Sequence, residues 1–288
     1  MVACRCRALA ASGHLRSVTT TYRVHSIGFG LLGVLVGALG TLIGAGGGFL
    51  LLPALVFLYP HDPPAVLTAI SLSVVCVNAT SGSIAYARLR RIDYRAGLLF
   101  VLAGLPGSVL GALVTHRLNH AMFDPLLGCV LLIGAGMVLF LPPPEPRTPS
   151  GAGTSVLVDR GGVAHVYVPR LWLGAALSVV VGFVSSLTGI GGGIIHVPIM
   201  VTALGFPTHV ATATSHFVVA LLTFAAVVVH ARSGILTPTL NRTVPLAVGV
   251  VIGAQIGAGL SSRVRGRWIL WALAAALASV GVRLLVPR

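Results

Sequence analysis

The chain has 288 residues, of which 56% are hydrophobic and 8% charged, with a mean hydropathy of +0.99. A water-soluble domain of this length needs far more charge to cover its surface, so the composition excludes a soluble enzyme or binding module and implies a polytopic membrane protein. The net charge of +14 comes from arginine alone, set against five acids; in a soluble domain that balance would suggest nucleic acid, but cationic loops fix the topology of a membrane protein, and no nucleic-acid partner is expected.

Residues 1–26 form an arm carrying Arg5, Arg7, Arg16 and Arg23. It lacks an apolar core followed by a cleavage site, so it reads as a cytoplasmic arm and not a signal peptide. Cys4 and Cys6 lie in that arm with no metal-ligand cluster nearby, and Cys76 and Cys129 read as small membrane hydrophobes. Apolar runs follow at about 27–59, 65–87, 95–115 and 122–141, which makes 27–141 a first transmembrane repeat. The segment 142–170 is a hydrophilic linker: it opens on PPPEPRTPSGAG and continues as VLV-DRGG-VAHVYV, two β-branched runs around a turn sequence and so the pattern of a short β-hairpin. Further runs at 171–204, 209–231, 243–260 and 268–286 make 171–288 a second repeat.

The two repeats share more than hydropathy. Residues 44–53 read GAGGGFLLLP and residues 189–198 read GIGGGIIHVP. Downstream, Leu67-Thr68-Ala69-Ile70-Ser71 corresponds to Ala211-Thr212-Ala213-Thr214-Ser215, Tyr86-Ala87-Arg88 to His230-Ala231-Arg232, and the Gly-x-x-x-Gly-Ala element at 107–112 to that at 253–258. The order points to an internal duplication, a common ground plan of secondary transporters. The expected fold is an all-α polytopic membrane protein of two homologous four-span halves, with helices interrupted at the GxGGG motifs. If each interrupted run makes one net crossing there are eight crossings, most arginines fall on the side of both termini, and that side is cytoplasmic; ten spans would divide the arginines almost evenly. The interrupted runs are longer than the roughly 20 residues a straight helix needs, so a kinked or partly re-entrant path is expected at Gly44–Gly48 and at Gly189–Gly193. Four crossings per half make the repeats parallel. Glycines at three- and four-residue spacing, as at Gly30, Gly33, Gly37 and Gly40 and again at Gly249, Gly253 and Gly257, let neighbouring helix backbones approach.

Clustered glycines permit positive φ and can turn several N–H groups toward one point, and a half-helix starting after them adds its positive dipole end. Gly44, Gly46, Gly47 and Gly48, with Gly189, Gly191, Gly192 and Gly193, are therefore candidate anion cradles. Thr188 precedes the second, where the first has Ile43. The acids Asp62, Asp93, Asp124, Glu145 and Asp159 all lie in loops or at span ends. That argues against a cation as cargo, because a buried carboxylate is the usual counter-ion. Neutral polar residues within the runs, namely Ser71, Asn78, Thr212 and Ser215, suit an oxyanion. His196 and His216 stand where the first repeat has Leu51 and Leu72, and are candidates to carry a proton. No metal-ligand set and no cofactor motif is present.

On the paired glycine motifs with Pro53 and Pro198, the Thr- and Ser-bearing segments at 67–71 and 211–215, and the Gly-x-x-x-Gly-Ala elements, the sequence resembles the sulfite exporter family TauE/SafE. The resemblance covers both repeats. It implies a four-plus-four helical membrane protein that moves sulfite, sulfonates or related small organic anions. The expectation is an inner-membrane exporter of a small oxyanion bound near midplane between the two glycine breaks. The alternatives are a proton-coupled importer using His216 or His196, a membrane scaffold without transport, and a membrane-embedded enzyme, for which no acid stands ready to orient a Ser or His.

Overall fold

A computed structural model describes residues 27–140, 155–261 and 267–286; the arm and the first part of the linker lie outside the described residues. The described chain is helical apart from one hairpin. Its helices are α1 (Ile27–Ile43), α2 (Gly48–Leu58), α3 (Pro64–Arg88), α4 (Tyr94–Thr115), α5 (His120–Phe140), α6 (Leu171–Thr188), α7 (Gly193–Thr202), α8 (Thr208–Arg232), α9 (Leu236–Leu260) and α10 (Arg267–Leu285). Strands β1 (Ser155–Val158) and β2 (Ala164–Tyr167) pair antiparallel ahead of α6. Six helices, α3, α4, α5, α6, α8 and α9, are long and apolar enough to cross a membrane. Of these, α3 and α8 are the most enclosed, with 78% and 61% of their apolar windows buried, so they form the centre. Side chains such as Leu98, Leu102 and Leu113 on α4, Val179 and Val180 on α6, and Val248, Ile252 and Ile256 on α9 are exposed, as lipid contact requires.

The glycine motifs reverse the chain. Gly44, Gly46 and Gly47 have φ of +85°, +74° and +84°, and Gly189, Gly191 and Gly192 repeat the pattern at +72°, +86° and +70°. A β-carbon makes this left-handed region costly, so three such residues within four positions need glycine. The reversal brings Gly47 back alongside Val36, where an added β-carbon would stand 2.8 Å from the Val36 carbonyl oxygen. From there α2 returns to the end of the bundle where α1 began: the rings of Phe29 and Tyr59 stack with centroids 6.5 Å apart. The second motif behaves alike, since Arg170, before α6, donates its N–H to the carbonyl of Leu204, after α7, at 3.2 Å.

This corrects the expectation of one net crossing at each interrupted run. Each helix pair enters and leaves at the same end because positive-φ glycines turn the backbone back on itself, which is the re-entrant and not the kinked form of the path expected there. The direction of the second half changes as a result. Helix α3 runs from the Tyr59 end to the Asp93 end, whereas α8 runs from the Asp93 end, where Asp93 donates its N–H to Thr214 Oγ1 at 3.0 Å, to the Tyr59 end, where the rings of His116 and His230 lie 5.0 Å apart. The order α1–α5 thus recurs as α6–α10 in the opposite sense, where parallel halves were expected.

Glycine seams hold the halves together. A β-carbon at Gly107 or Gly111 on α4 would strike the backbone of α6 at Val179 or Phe183, and one at Gly249 or Gly253 on α9 would strike α1 at Gly30 or Val34. Each seam joins the fourth helix of one half to the first helix of the other, by the close approach that small residues permit. The hairpin closes over the Asp93 end. Asp159 begins its turn and accepts from the N–H groups of Gly161 (2.8 Å) and Val163 (3.0 Å), while Arg91 reaches its other oxygen at 3.3 Å. These donors, first that of Val163, hold the Asp159 carboxyl below the usual carboxylate range. Tyr167 of β2 donates to Asp93 Oδ2 at 2.7 Å and packs on Phe206; burial, then the Asp93 carboxylate, pushes its phenol up.

Candidate functional site

Reversals built from left-handed glycines leave carbonyls without helical partners, and buried side chains of α3 and α8 satisfy them across the two halves. Ser71 Oγ donates to the Gly189 carbonyl at 2.7 Å, and Ser215 Oγ to the Gly44 carbonyl at 3.3 Å. Asn78 Nδ2 donates to the Gly46 carbonyl at 2.9 Å, and its Oδ1 accepts from Thr41 at 3.3 Å. Thr212 packs its methyl on Gly44 as Thr68 does on Gly189. Thr188 Oγ1 donates to Val184 in its own helix at 2.7 Å. Of the side chains picked out as ligands, then, Ser71, Asn78, Thr212 and Ser215 hold the reversals in shape, and Thr188 serves its own helix.

The two reversals touch. A β-carbon on Gly48 would run into the Ile190 carbonyl, and one on Gly193 into Ala45 and the Gly44 carbonyl. No room for a ligand lies between them. Their amides are nevertheless open: the N–H groups of Gly47, Gly48 and Phe49, and of Gly191, Gly192 and Ile194, find no acceptor among the described residues. Helices α2 and α7 start at these points, so each adds its positive end to the donors.

The second reversal adjoins a small cavity. It measures about 10 Å³, the room of a single water, and is lined by Gly191, Gly192, Ser178, Ser185 and His196 together with Val181, Val218, Val219 and Leu222. His196 stands with Nε2 3.4 Å from Ser178 Oγ and with Nδ1 buried and unpartnered. Sequence reasoning missed Ser178 and Ser185. Their signal was a seven-residue spacing, which puts both on the face of α6 that the reversal folds against.

His196 and His216 do not share a site. His216 lies beside the first reversal, with Nε2 3.3 Å from Thr41 Oγ1 and its ring edge-on to Tyr86, whose hydroxyl donates to the Thr41 carbonyl at 2.8 Å. It belongs to a packed polar cluster with Thr41, Asn78 and Tyr86. The described carboxylates stay at the ends, each with a partner: Asp62 with Arg242, Asp93 with Tyr167, Asp124 with His120, and Asp159 with Arg91. Among the described residues no three His, Cys, Asp or Glu side chains gather into a metal-binding group. Ser178 Oγ donates to the Gly174 carbonyl at 2.7 Å, so the donors beside Gly191 are the backbone amides, the Ser185 hydroxyl and one imidazole.

A family model described as "Sulfite exporter TauE/SafE" matches residues 29–284. The probable membrane transporter protein YunE of Bacillus subtilis is 30% identical over 264 residues, covering 88% of this chain and 95% of that one. A probable membrane transporter protein of Methanocaldococcus jannaschii is 25% identical over 89% of this chain and 94% of its own, and one of Xylella fastidiosa is 26% identical over 80% and 83%. No solved structure matches the chain. The family match runs through both sets of helices, and with six helices fit to span a bilayer the chain is a multi-pass membrane protein that belongs to the sulfite exporter TauE/SafE family of membrane transporters.

Proposed function

We propose that the protein moves a small oxyanion, a sulfite, sulfonate or related organic anion, across the cell membrane, and that the anion is held at the start of α7. The observation that carries this reading is the donor cluster at Gly191 and Gly192; the chamber beside it, about 10 Å³, has the room of one water in this closed form, so the anion enters as the chamber widens. Two buried N–H groups without acceptors, the positive end of α7, two serines and an imidazole surround it, and every described carboxylate is elsewhere. Such a site favours negative charge without placing a formal cation in the membrane. The family's description, which names sulfite export, supports the same class. With a negative cytoplasm, a monovalent anion leaving the cell gains about 2.3 kcal/mol per 100 mV, so export needs no coupling ion. Import would need a symported proton, and His196, which lines the cavity, is then its carrier in preference to His216.

We read the two halves as a duplicated five-helix unit inserted in opposite senses, each contributing one re-entrant pair and three full crossings. Phe29 and Tyr59 share an end with Arg283, which lies over Phe57, so the first and last helices open to one compartment, which we assign to the cytoplasm. The partners on this reading are the anion and the lipid bilayer, and no nucleic acid. A thermal-shift screen of purified protein against sulfite, thiosulfate, sulfonates, carboxylates, halides and cations tests it. An anion at a hundred times its Kd should add about 2.7 kcal/mol of stability. A shift with cations alone, or none with any anion together with no anion flux in proteoliposomes, overturns it.

A further inference from the structure

A second, larger opening lies on the helices that carry the cavity. At the Asp93 end a surface cleft of about 540 Å³ opens between the first turns of α4 and α6, lined among others by Arg95, Ala96, Arg170 and Leu171. Arg95 and Arg170 are exposed and their guanidinium groups have no ion-pair partner among the described residues. Asp93, the one acid in the cleft, is occupied: its carboxylate accepts from Tyr167 at 2.7 Å and from the Ala96 N–H at 3.0 Å. The free charge of the cleft is positive.

The register of the two helices leads from this cleft to the cavity in single turns. On α4 the residue one turn below Ala96 is Phe100; on α6 Gly174 and then Ser178 follow Arg170 at four-residue steps. The fully buried Phe100 ring fills the place where Gly174 has no side chain, and its other neighbours include His196, edge-on with centroids 5.8 Å apart, and Phe206 at 6.2 Å. Ser178 and His196 line the cavity on the far side. The Phe100 ring, packed with Leu204, Phe206 and His196, therefore belongs to the apolar layer between the cationic cleft and the hydrogen-bonding pocket at Gly191 and Gly192.

We propose that the Arg95–Arg170 cleft is the anion vestibule of the Asp93 end and that the Phe100 ring is the gate between it and the cavity. The inference rests on the anion-binding reading of that cavity. Arg95 and Arg170 concentrate anions at the mouth, and rotation of the Phe100 ring out of its seat beside Gly174 connects the two chambers. Gly174 is the complementary part of the device, since any side chain there would compete with the ring.

The test uses thiol modification, which needs neither a known cargo nor transport. In a chain with Cys4, Cys6, Cys76 and Cys129 replaced by serine or alanine, Ser185→Cys places a thiol in the cavity. It is challenged with an anionic thiosulfonate (sulfonatoethyl) and a cationic one (trimethylammonioethyl). Phe100→Ala should raise the labelling rate at least tenfold, with Phe100→Leu between it and the parent. Arg95→Gln with Arg170→Gln should slow the anionic reagent severalfold and leave the cationic one unslowed. Unchanged labelling in both Phe100 variants, each eluting as a single species from size exclusion, overturns the gate; equal effects of the arginine changes on both reagents overturn the vestibule. Failure of the anion reading itself would show separately, as absent thermal shifts in the unmodified protein.

Discussion

Replacing Gly193 by alanine tests the contact between the two reversals with little confusion from backbone preference. Gly193 opens α7 and its φ is not in the left-handed region, so alanine costs nothing there and should gain up to about 1 kcal/mol in helix propensity. The β-carbon, however, would stand 2.6 Å from the Gly44 carbonyl oxygen and 2.8 Å from the Ala45 carbonyl carbon, against about 3.5–4.0 Å for ordinary contact. These are backbone atoms of a turn already committed to three positive-φ glycines, so no rotamer change relieves the overlap and one reversal has to shift. Overpacking of this kind costs about 1–3 kcal/mol. A shift of the Gly44 carbonyl also weakens its bond from Ser215, worth about 1 kcal/mol. Set against the propensity gain the net loss is about 1–3 kcal/mol, and at about 2–4 °C per kcal/mol the apparent Tm of detergent-purified protein should fall by roughly 2–12 °C. Gly234→Ala is the control: its φ is +73° with nothing within 4 Å, so it carries only the left-handed strain of about 1–2 kcal/mol. A Gly193→Ala protein that melts at or above the parent temperature, or above Gly234→Ala, would refute the back-to-back packing.

The serine clamps differ in length, and their removal should differ in effect. Ser71→Ala strands the Gly189 carbonyl after losing a 2.7 Å bond and should cost about 1–2 kcal/mol, more than Ser215→Ala, whose bond is 3.3 Å; equal or reversed losses in thermal unfolding would deny the clamps their assigned role. The direction of the chain is open to a labelling test in sealed vesicles. In a cysteine-free background, cysteines replacing His61 and Ser233 should react with an impermeant maleimide from the same face and one replacing Arg90 from the other, whereas eight crossings would put positions 61 and 233 on opposite faces.

The glycine motifs were legible because three clustered glycines inside an apolar run have few other uses, and the pairing of each motif with a Thr-and-Ser segment was legible because both recur in order. The path of the chain at the motifs was not. An apolar run from 27 to 59 is long enough for a kinked span or for a span and a half, and hydropathy does not separate them; only the φ values and the Phe29–Tyr59 stack do. Arginine counting failed for a related reason. Arg117, Arg232, Arg242 and Arg283 belong to the Tyr59 end and Arg88, Arg90, Arg91, Arg95, Arg160 and Arg170 to the Asp93 end, so neither end is free of cations and the rule carries little weight. His216 was grouped with Ser215 by sequence adjacency, but neighbours on a helix point about 100° apart. Both reach the first reversal by different routes: Ser215 donates to the Gly44 carbonyl, while the His216 ring, which also meets the Gly44 backbone, lies against Thr41 and Tyr86.

The halves share a frame but not a lining, and that difference decides where the chemistry lies. Shifting each polar residue of the cavity back by the spacing of the two motifs, Ser178 falls on Gly33, Ser185 on Gly40 and His196 on Leu51. In the first half the glycines at those places are filled by backbone: Gly33 is pressed by α9 at Leu246 and Gly249, and Gly40 by Gly47. Leu51 is fully buried in the apolar core. The first reversal therefore has its amides open beside a packed polar cluster of Thr41, Asn78, Tyr86 and His216, and Asn78, which caps its Gly46 carbonyl, has Leu222 as its counterpart against the cavity. Two like reversals give the molecule its opposed geometry, and three differences toward serine and histidine give one of them the polar lining on which the proposed anion site rests. A variant that restores symmetry there, with Ser178→Gly, Ser185→Gly and His196→Leu together, would keep the reversals and lose the ligand, which separates the architecture of the fold from its chemistry.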